Sequence, residues 1–295
     1  MEEVAESKGS GALKWIITSF VIFIIILGTF AFFVFRKTTC GDGTSYDECS
    51  LTKPYFCEEG ILIEQALICG CPQNFSVEGE TCFLEYKTGQ KSISLAYKLN
   101  GDMEGVVDFV VYGGFYNYST RISRFLEDNG NGFSRKNFKL GIINNPLQRE
   151  MLMPLVVQIQ NLEEGKRDQA MIAINLVQTI PYDFAKDNLS IWQQALSLKY
   201  PYEVIYDGLG VCGEKVDLLS ILLKEIGYGV AIFYFPEKNH EGVGIKCSPI
   251  EDYRDSGYCY VETTSPSAIN DYGVLQSLGG SEVFEVIEIS DGRGF

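Results

Sequence analysis

The chain has 295 residues, 46% of them hydrophobic and 21% charged, and a formal net charge of −15. That length and composition describe one large globular domain, or two small ones with accessories, and exclude a disordered chain. The acidity argues against nucleic acid as a partner, because phosphate binding needs a basic surface.

Residues 1–14 form a short tail, expected on the cytoplasmic side. Trp15 to Phe35, "WIITSFVIFIIILGTFAFFVF", contains no charged residue. About 20 apolar residues at about 1.5 Å each cross a bilayer core. A cleaved signal peptide has a shorter apolar core and a small-residue cleavage site, and neither fits. The run is therefore expected to be an uncleaved transmembrane helix over 15–35. Lys8 and Lys14 precede it and Arg36 and Lys37 follow, so the basic flanks give no orientation.

Cysteine usage gives one. Cys40, Cys49, Cys57, Cys69, Cys71 and Cys82 fall in a loop-rich stretch, residues 38–84, too small to bury an adequate core unaided. Three disulfides, at about 2–4 kcal/mol each, are expected to staple it. Six cysteines allow 15 connectivities, and the sequence does not choose among them. The rival is a zinc site, but the stretch has no histidine and its one close pair, Cys69-Gly-Cys71, is tighter than the usual spacer. Disulfides need an oxidising compartment, which places the body outside the cytoplasm on a single-pass anchor. Sequons at Asn74, Asn117 and Asn188 agree with that side.

Residues 85–145 read as a β-rich accessory region. "KSISLAYKLNG" and "GVVDFVVYGGFYNYS" carry β-branched and aromatic residues in partial alternation, and "LEDNGNGFSRKN" is a turn-rich break. The catalytic part is expected over 146–295. Leu152, Leu155, Val156, Ile159 and Leu162 recur at helical spacing, with Pro154 in the first turn or at a kink. Ala170, Ala173, Val177 and Ile180 line a second helix that Pro181 stops. Ser190 and Gln193 cap a third, which Pro201 ends. Val216, Leu219, Leu222, Leu223 and Ile226 make the apolar stripe of a fourth, stopped by Gly227 and Gly229. The period then changes to two: "VAIFYF", "HEGVGIKC", "YCYVETT" and "VFEVIEI" read as strands. Helices followed by an antiparallel sheet make the fold class α+β.

The remaining cysteines are Cys212, Cys247 and Cys259. Pairing Cys247 with Cys259 leaves Cys212 as a free thiol, as half of an intermolecular bond, or as a buried inert residue. Cys212, in "GVCGEK", opens the strongest helix. Helix N-termini favour anions and lower thiol pKa values, and the thiolate is the nucleophile. Lys215 is expected in solvent. His240, in "NHEGVGI", is the chain's single histidine and opens a strand. Glu262, in "CYVETT", sits on the next strand, where it can stand beside His240 and orient it. If His240 faces Glu262 directly, Cys247 faces Asp255, and the Cys247–Cys259 pair then needs a bulge or a bent connection.

"YPYEVIYDGLGVCGEKVDLLSILLKEIGYGVAIF", "NHEGVGIKC" and "YCYVETTSPS" resemble the transglutaminase-like, papain-related superfamily, over about residues 165–270. The layout is similar to uncharacterised membrane-anchored archaeal members with a cysteine-rich N-terminal module. The resemblance implies a papain-like core with Cys212 as nucleophile, His240 as base and acid, and Glu262 as orienting group. It departs from the pattern where Glu262-Thr263-Thr264 replaces the usual Asp segment and Glu241-Gly242 replaces an aromatic after the histidine. Gln178 and Tyr206 are the side chains considered for the second oxyanion donor.

The function expected is that of a membrane-anchored extracytoplasmic thiol enzyme acting on peptide or carboxamide bonds. Water is the default acceptor, so hydrolysis is expected before crosslinking. Protein or peptide substrates, including those of the cell envelope, are the expected partners besides the membrane. No cofactor is expected. A non-catalytic surface module that keeps the fold is the alternative. A zinc site built from Cys212, His240 and Glu262 fits the order of these residues less well than a thiol triad.

Overall fold

The computed structural model describes residues 15, 17–24, 39–73, 75–84, 86–99, 103–122, 134–277 and 283–295. The chain divides into two compact units, Met1–Thr38 and Thr39–Phe295. In the first, residues 17–24 are helical. Among the described residues no helix is long and apolar enough to cross a membrane. The expected tail over 1–14 and the remainder of the apolar run from 25 to 35 lie outside the described residues. The expected span thus finds no support in the structure.

The second unit opens with the cysteine module. Cys40–Cys57, Cys49–Cys69 and Cys71–Cys82 are bonded, with Cα separations of 5.8, 5.5 and 5.7 Å, all within the range a disulfide spans. The sulfurs proposed for zinc are therefore in disulfides. Strands β1 (Tyr55–Glu58) and β2 (Ile61–Glu64) pair antiparallel inside these loops. Cys40, Tyr55, Cys57 and Leu62 pack with Val157 of a long helix. That helix's Asn161 side chain accepts the Leu62 N–H at 3.0 Å and donates to its carbonyl at 3.2 Å. The module is thereby bound to the helical body by apolar burial and by satisfied backbone groups.

Strands β3 (Ser76–Glu78) and β4 (Thr81–Phe83) form a second small hairpin. Strands β5 (Gln90–Leu99) and β6 (Met103–Tyr112) form a long one, with Leu95, Val107, Phe109 and Val111 turned into the main core. The expected strand reading of "GGFYNYS" fails. Gly113–Ser119 is helix α1, because Phe115 and Ser119, four residues apart, are the buried side chains and set a helical period.

Helix α2 (Arg135–Ile143) was not expected. Helix α3 (Pro146–Leu162) starts at a Pro in its first turn, with the Asn145 side chain accepting the Leu147 and Gln148 N–H groups. Pro154 lies well inside it rather than in its first turn. Helix α4 (Lys166–Thr179) ends before Pro181. After the short α5 (Phe184–Asp187), α6 (Ile191–Leu196) has the expected reciprocal cap. The Gln193 N–H donates to Ser190 Oγ and the Ser190 N–H donates to Gln193 Oε1. Pro201 does not end α6. It begins α7 (Pro201–Asp207), its ring suiting the first turn of a helix, where no N–H partner is lost.

Helix α8 (Cys212–Ile226) runs through the centre of the body. Val216, Leu219, Leu222, Leu223 and Ile226 are buried as expected, but so are Leu218 and Ile221 on the other side. The helix is covered all round. Glu214, Lys215, Asp217 and Ser220 are consequently buried with it, and each needs an internal partner. Gly227 ends the helix at φ 109°, a conformation that favours glycine.

The sheet is antiparallel, in the order β10 (Glu285–Ser290), β7 (Val230–Phe235), β8 (His240–Lys246), β9 (Tyr258–Val261). Alternation divides its side chains. Val230, Ile232, Val243, Ile245 and Val261 join the core around α8, while Phe233, Phe235 and Tyr260 join an aromatic cluster on the opposite face. The α+β expectation is met.

Candidate active site

Cys212 stands at the first residue of α8 because the turn before it is held from two directions. The segment after α4 bridges it, with the Gly210 N–H donating to Pro181 O at 3.3 Å and the Asp183 N–H donating to Gly210 O at 3.1 Å. Glu214, fully buried, reaches back so that its Oε2 accepts the Val211 N–H at 3.0 Å. This is the half of a capping box that a valine at the N-cap permits. Its Oε1 accepts the Lys199 N–H and pairs with Lys186. Cys212 is the free thiol and is partly exposed.

His240 follows Asn239, a left-handed residue at φ 45° that ends a short 3₁₀ turn. Its Nε2 lies 2.9 Å from Glu262 Oε2. Cys212 is near enough to His240 to act on the charge of its ring. The three expected residues are thus brought together in the order Cys212, His240, Glu262. Burial opposes a charge on His240, but its interactions with Cys212 and Glu262 outweigh it and push the imidazole up to about 10.

Glu262 is saturated with donors. Its Oε1 accepts the Thr263 N–H, the Thr264 N–H and the Thr264 hydroxyl, each at 2.8 Å. Its Oε2 accepts Tyr260 O–H at 2.9 Å besides His240. Burial acts against the carboxylate, yet His240 and then Thr264 bring it down to about 2. The substitution of Glu-Thr-Thr for an Asp segment therefore keeps a fully bonded anion here. Tyr260 also lies 3.3 Å from His240 Nε2. It gets there because residue 242 is glycine: a Cβ at Gly242 would stand 2.3 Å from the Tyr260 ring.

The strand register differs from the direct facing of His240 and Glu262. Val243 pairs with Val261 and Lys246 with Tyr258. Glu262 thus falls across from Gly242, and His240 is one diagonal step away. The same register puts Cys259 opposite Ile245. Cys247 is then close enough to bond it at a Cα separation of 5.7 Å, with no bulge required.

Lys215 is buried, not solvated. Its Nζ donates to Ile180 O at 2.7 Å and Gln178 O at 3.5 Å, the carbonyls at the end of α4. Burial brings it down to about 8 against the opposing charge of Glu262. Gln178 spends its amide on Glu262 O at 2.9 Å and Ser267 O at 3.1 Å, so it props the acid's loop. Tyr206 stacks on Tyr116 at 4.3 Å, beside Lys91.

The residue that sequence reasoning missed is Tyr182. Burial first, then the nearby Cys212 and Asp187, hold its phenol protonated. No motif marks it. Only the Tyr182–Gly210 bridge brings it to the thiol. A cleft of about 290 Å³ opens beside the acid–base pair, lined by Lys238, His240, Glu262, Thr264, Ser265, Val274 and Ser277. Asn117 and Asn188 are exposed, and Asn74 lies outside the described residues. Among the described residues no group of three His, Cys, Asp or Glu side chains is placed to hold a metal ion.

No family model matches the chain. No curated protein matches it significantly. Among solved structures, one described as a "putative protease from Parabacteroides distasonis ATCC 8503" aligns at 12% identity and a TM-score of 0.33, covering 70% of this chain and 41% of that one. The alignment thus takes in less than half of that protein, and a likeness of this size carries no weight for fold or chemistry.

Proposed function

We propose that the chain is a thiol acyl-transfer enzyme of the transglutaminase-like kind, acting on peptide or carboxamide bonds. The observation that carries this reading is one imidazole, 2.9 Å from a buried carboxylate, whose charge also responds to the free thiol. The cysteine sulfur attacks the carbonyl carbon, and the C=O electron pair moves to oxygen. The Cys212 N–H, at the start of α8, is offered to the oxyanion. On collapse the C–N bond breaks, and His240 gives its proton to the departing nitrogen. The neutral imidazole then takes a proton from water, whose oxygen attacks the thioester and releases the acid and the thiolate. Glu262 stabilises the imidazolium formed along the way.

Hydrolysis is favoured over crosslinking because the cleft beside His240 is open and lined with hydroxyl groups, which admits water. The substrates are proteins or peptides, those of the cell envelope included. The four disulfides support an oxidising compartment. The uncharged run Trp15 to Phe35 supports a membrane anchor with the body outside. The test is an intact-mass measurement after incubation with a p-nitrophenyl acyl ester. Wild type should gain one acyl group on Cys212, and Cys212→Ala should gain none. No adduct under any condition would leave the binding-module reading in place.

A further inference from the structure

Helix α2 belongs to the region whose role the sequence left open. One face of it carries a cation buried against both catalytic elements. Lys139 is 3% exposed. Its Nζ lies 2.9 Å from Asp217 Oδ1 and 2.6 Å from Glu241 Oε2, and it donates to Gly213 O at 3.2 Å. Arg135, one turn earlier, holds the other oxygen of Glu241 at 2.5 Å and lies 3.5 Å over the Tyr234 ring. Gly213 is the residue after Cys212, and Glu241 is the residue after His240. Strand alternation turns Glu241 to the opposite side of β8 from His240, where it meets the first turn of α8. A Cβ on Gly213 would stand 2.9 Å from Glu241 Oε2, so the approach is close.

We propose that Lys139 is a positioning residue that fixes the spacing of Cys212 and His240, an inference that rests on the thiol-enzyme reading above. Buried ion pairs must be stripped of water and are a poor source of stability compared with apolar packing. What this one supplies is geometry. A single ammonium ties the α8 backbone one residue past the nucleophile to the carboxylate one residue past the base. Without it, Asp217 and Glu241 lose the cation that joins them, and the tie between β8 and α8 is released. A displacement of about 1 Å between reacting groups costs on the order of 100-fold in rate. Among the described residues, Asp217 Oδ2 is buried without a hydrogen-bond partner, and Oδ1 is held by Lys139.

The test uses the full chain in detergent, purified without reductant, and the rate of iodoacetamide labelling at Cys212 at pH 6. The readout is the ratio of rates with His240 present and with His240→Ala, measured in the wild-type and Lys139→Met backgrounds. This double-mutant cycle reports the thiol–imidazole coupling, which a loss of general stability does not change. We expect a ratio of about tenfold or more in wild type and under about twofold in Lys139→Met. Glu241→Gln, close to isosteric, carries the same expectation and serves if Lys139→Met does not fold. A ratio that stays at its wild-type value in the variant overturns this inference alone. A wild-type ratio near one overturns the thiol–imidazole pair, and this inference with it.

Discussion

Glu262 Oε2 stands 2.9 Å from His240 Nε2 although the two residues are not opposite one another on their strands. The diagonal reach uses a glutamate where a shorter acid would fall short, and it brings Tyr260 into the contact as a third member. Glu262→Asp should therefore withdraw the carboxylate from the imidazole while keeping its charge. We expect its esterase rate to drop at least about tenfold, close to that of Glu262→Gln, because orientation of the base is what is lost. Tyr260→Phe removes one hydrogen bond to the carboxylate and should cost about 1.5–3 kcal/mol in urea unfolding.

The site's charges set a pH dependence of stability. His240 is raised from 6.5 to about 10 in the fold. Its contribution is thus fully present below pH 6.5 and is lost as pH rises through about 10. Glu262 is lowered from 4.5 to about 2, so its contribution is present above pH 4.5 and is lost as pH falls through about 2. The stability gap between wild type and His240→Ala should be widest between these limits, near pH 5–6. Thermal unfolding of both proteins from pH 3 to 10 checks this. A gap that grows above pH 8 would contradict the assignment.

Lys215 behaves in the opposite sense. It is buried on two carbonyls and brought from 10.5 to about 8. The fold therefore binds its proton less tightly than the unfolded chain does. That deficit weighs fully below pH 8 and fades as pH rises toward 10.5. Lys215→Met should be as stable as wild type or more so at pH 7, with the difference narrowing above pH 8. A large loss at pH 7 would mean that the ammonium is needed to hold the end of α4.

The Cys247–Cys259 bond closes a loop with a sequence separation of 12. In the chain-entropy account such a loop is worth about 3 kcal/mol. The double change Cys247→Ser and Cys259→Ser should lower stability by about that amount in guanidinium unfolding, and the register of β8 and β9 should survive because the backbone ladder remains.

Much of this was legible in the chain. The apolar stripe from Val216 to Ile226 and the glycine after it mark α8, and the switch to period two marks the strands. The count of nine cysteines left Cys212 unpaired once Cys247 and Cys259 were joined. What was hidden depends on distant partners. Helix α2 follows a turn-rich run and shows no strong apolar period, since its burial is bought by Lys139 finding Asp217, 78 residues on. Pro201 is ambiguous because proline both ends helices and begins them. Lys215 looks like a solvent residue until α4 supplies its carbonyls. The disulfide partners within 38–84 and the diagonal register of His240 and Glu262 are likewise three-dimensional facts.

The central claim is that His240 activates Cys212. The most direct measurement is the iodoacetamide labelling rate of the full chain across pH 5–9, for wild type and His240→Ala. The account predicts one labelled site, Cys212, with a rate at pH 6 that falls about tenfold or more when His240 is removed. Equal rates and equal pH profiles for the two proteins, or a Cys212 that does not label at all, would contradict it.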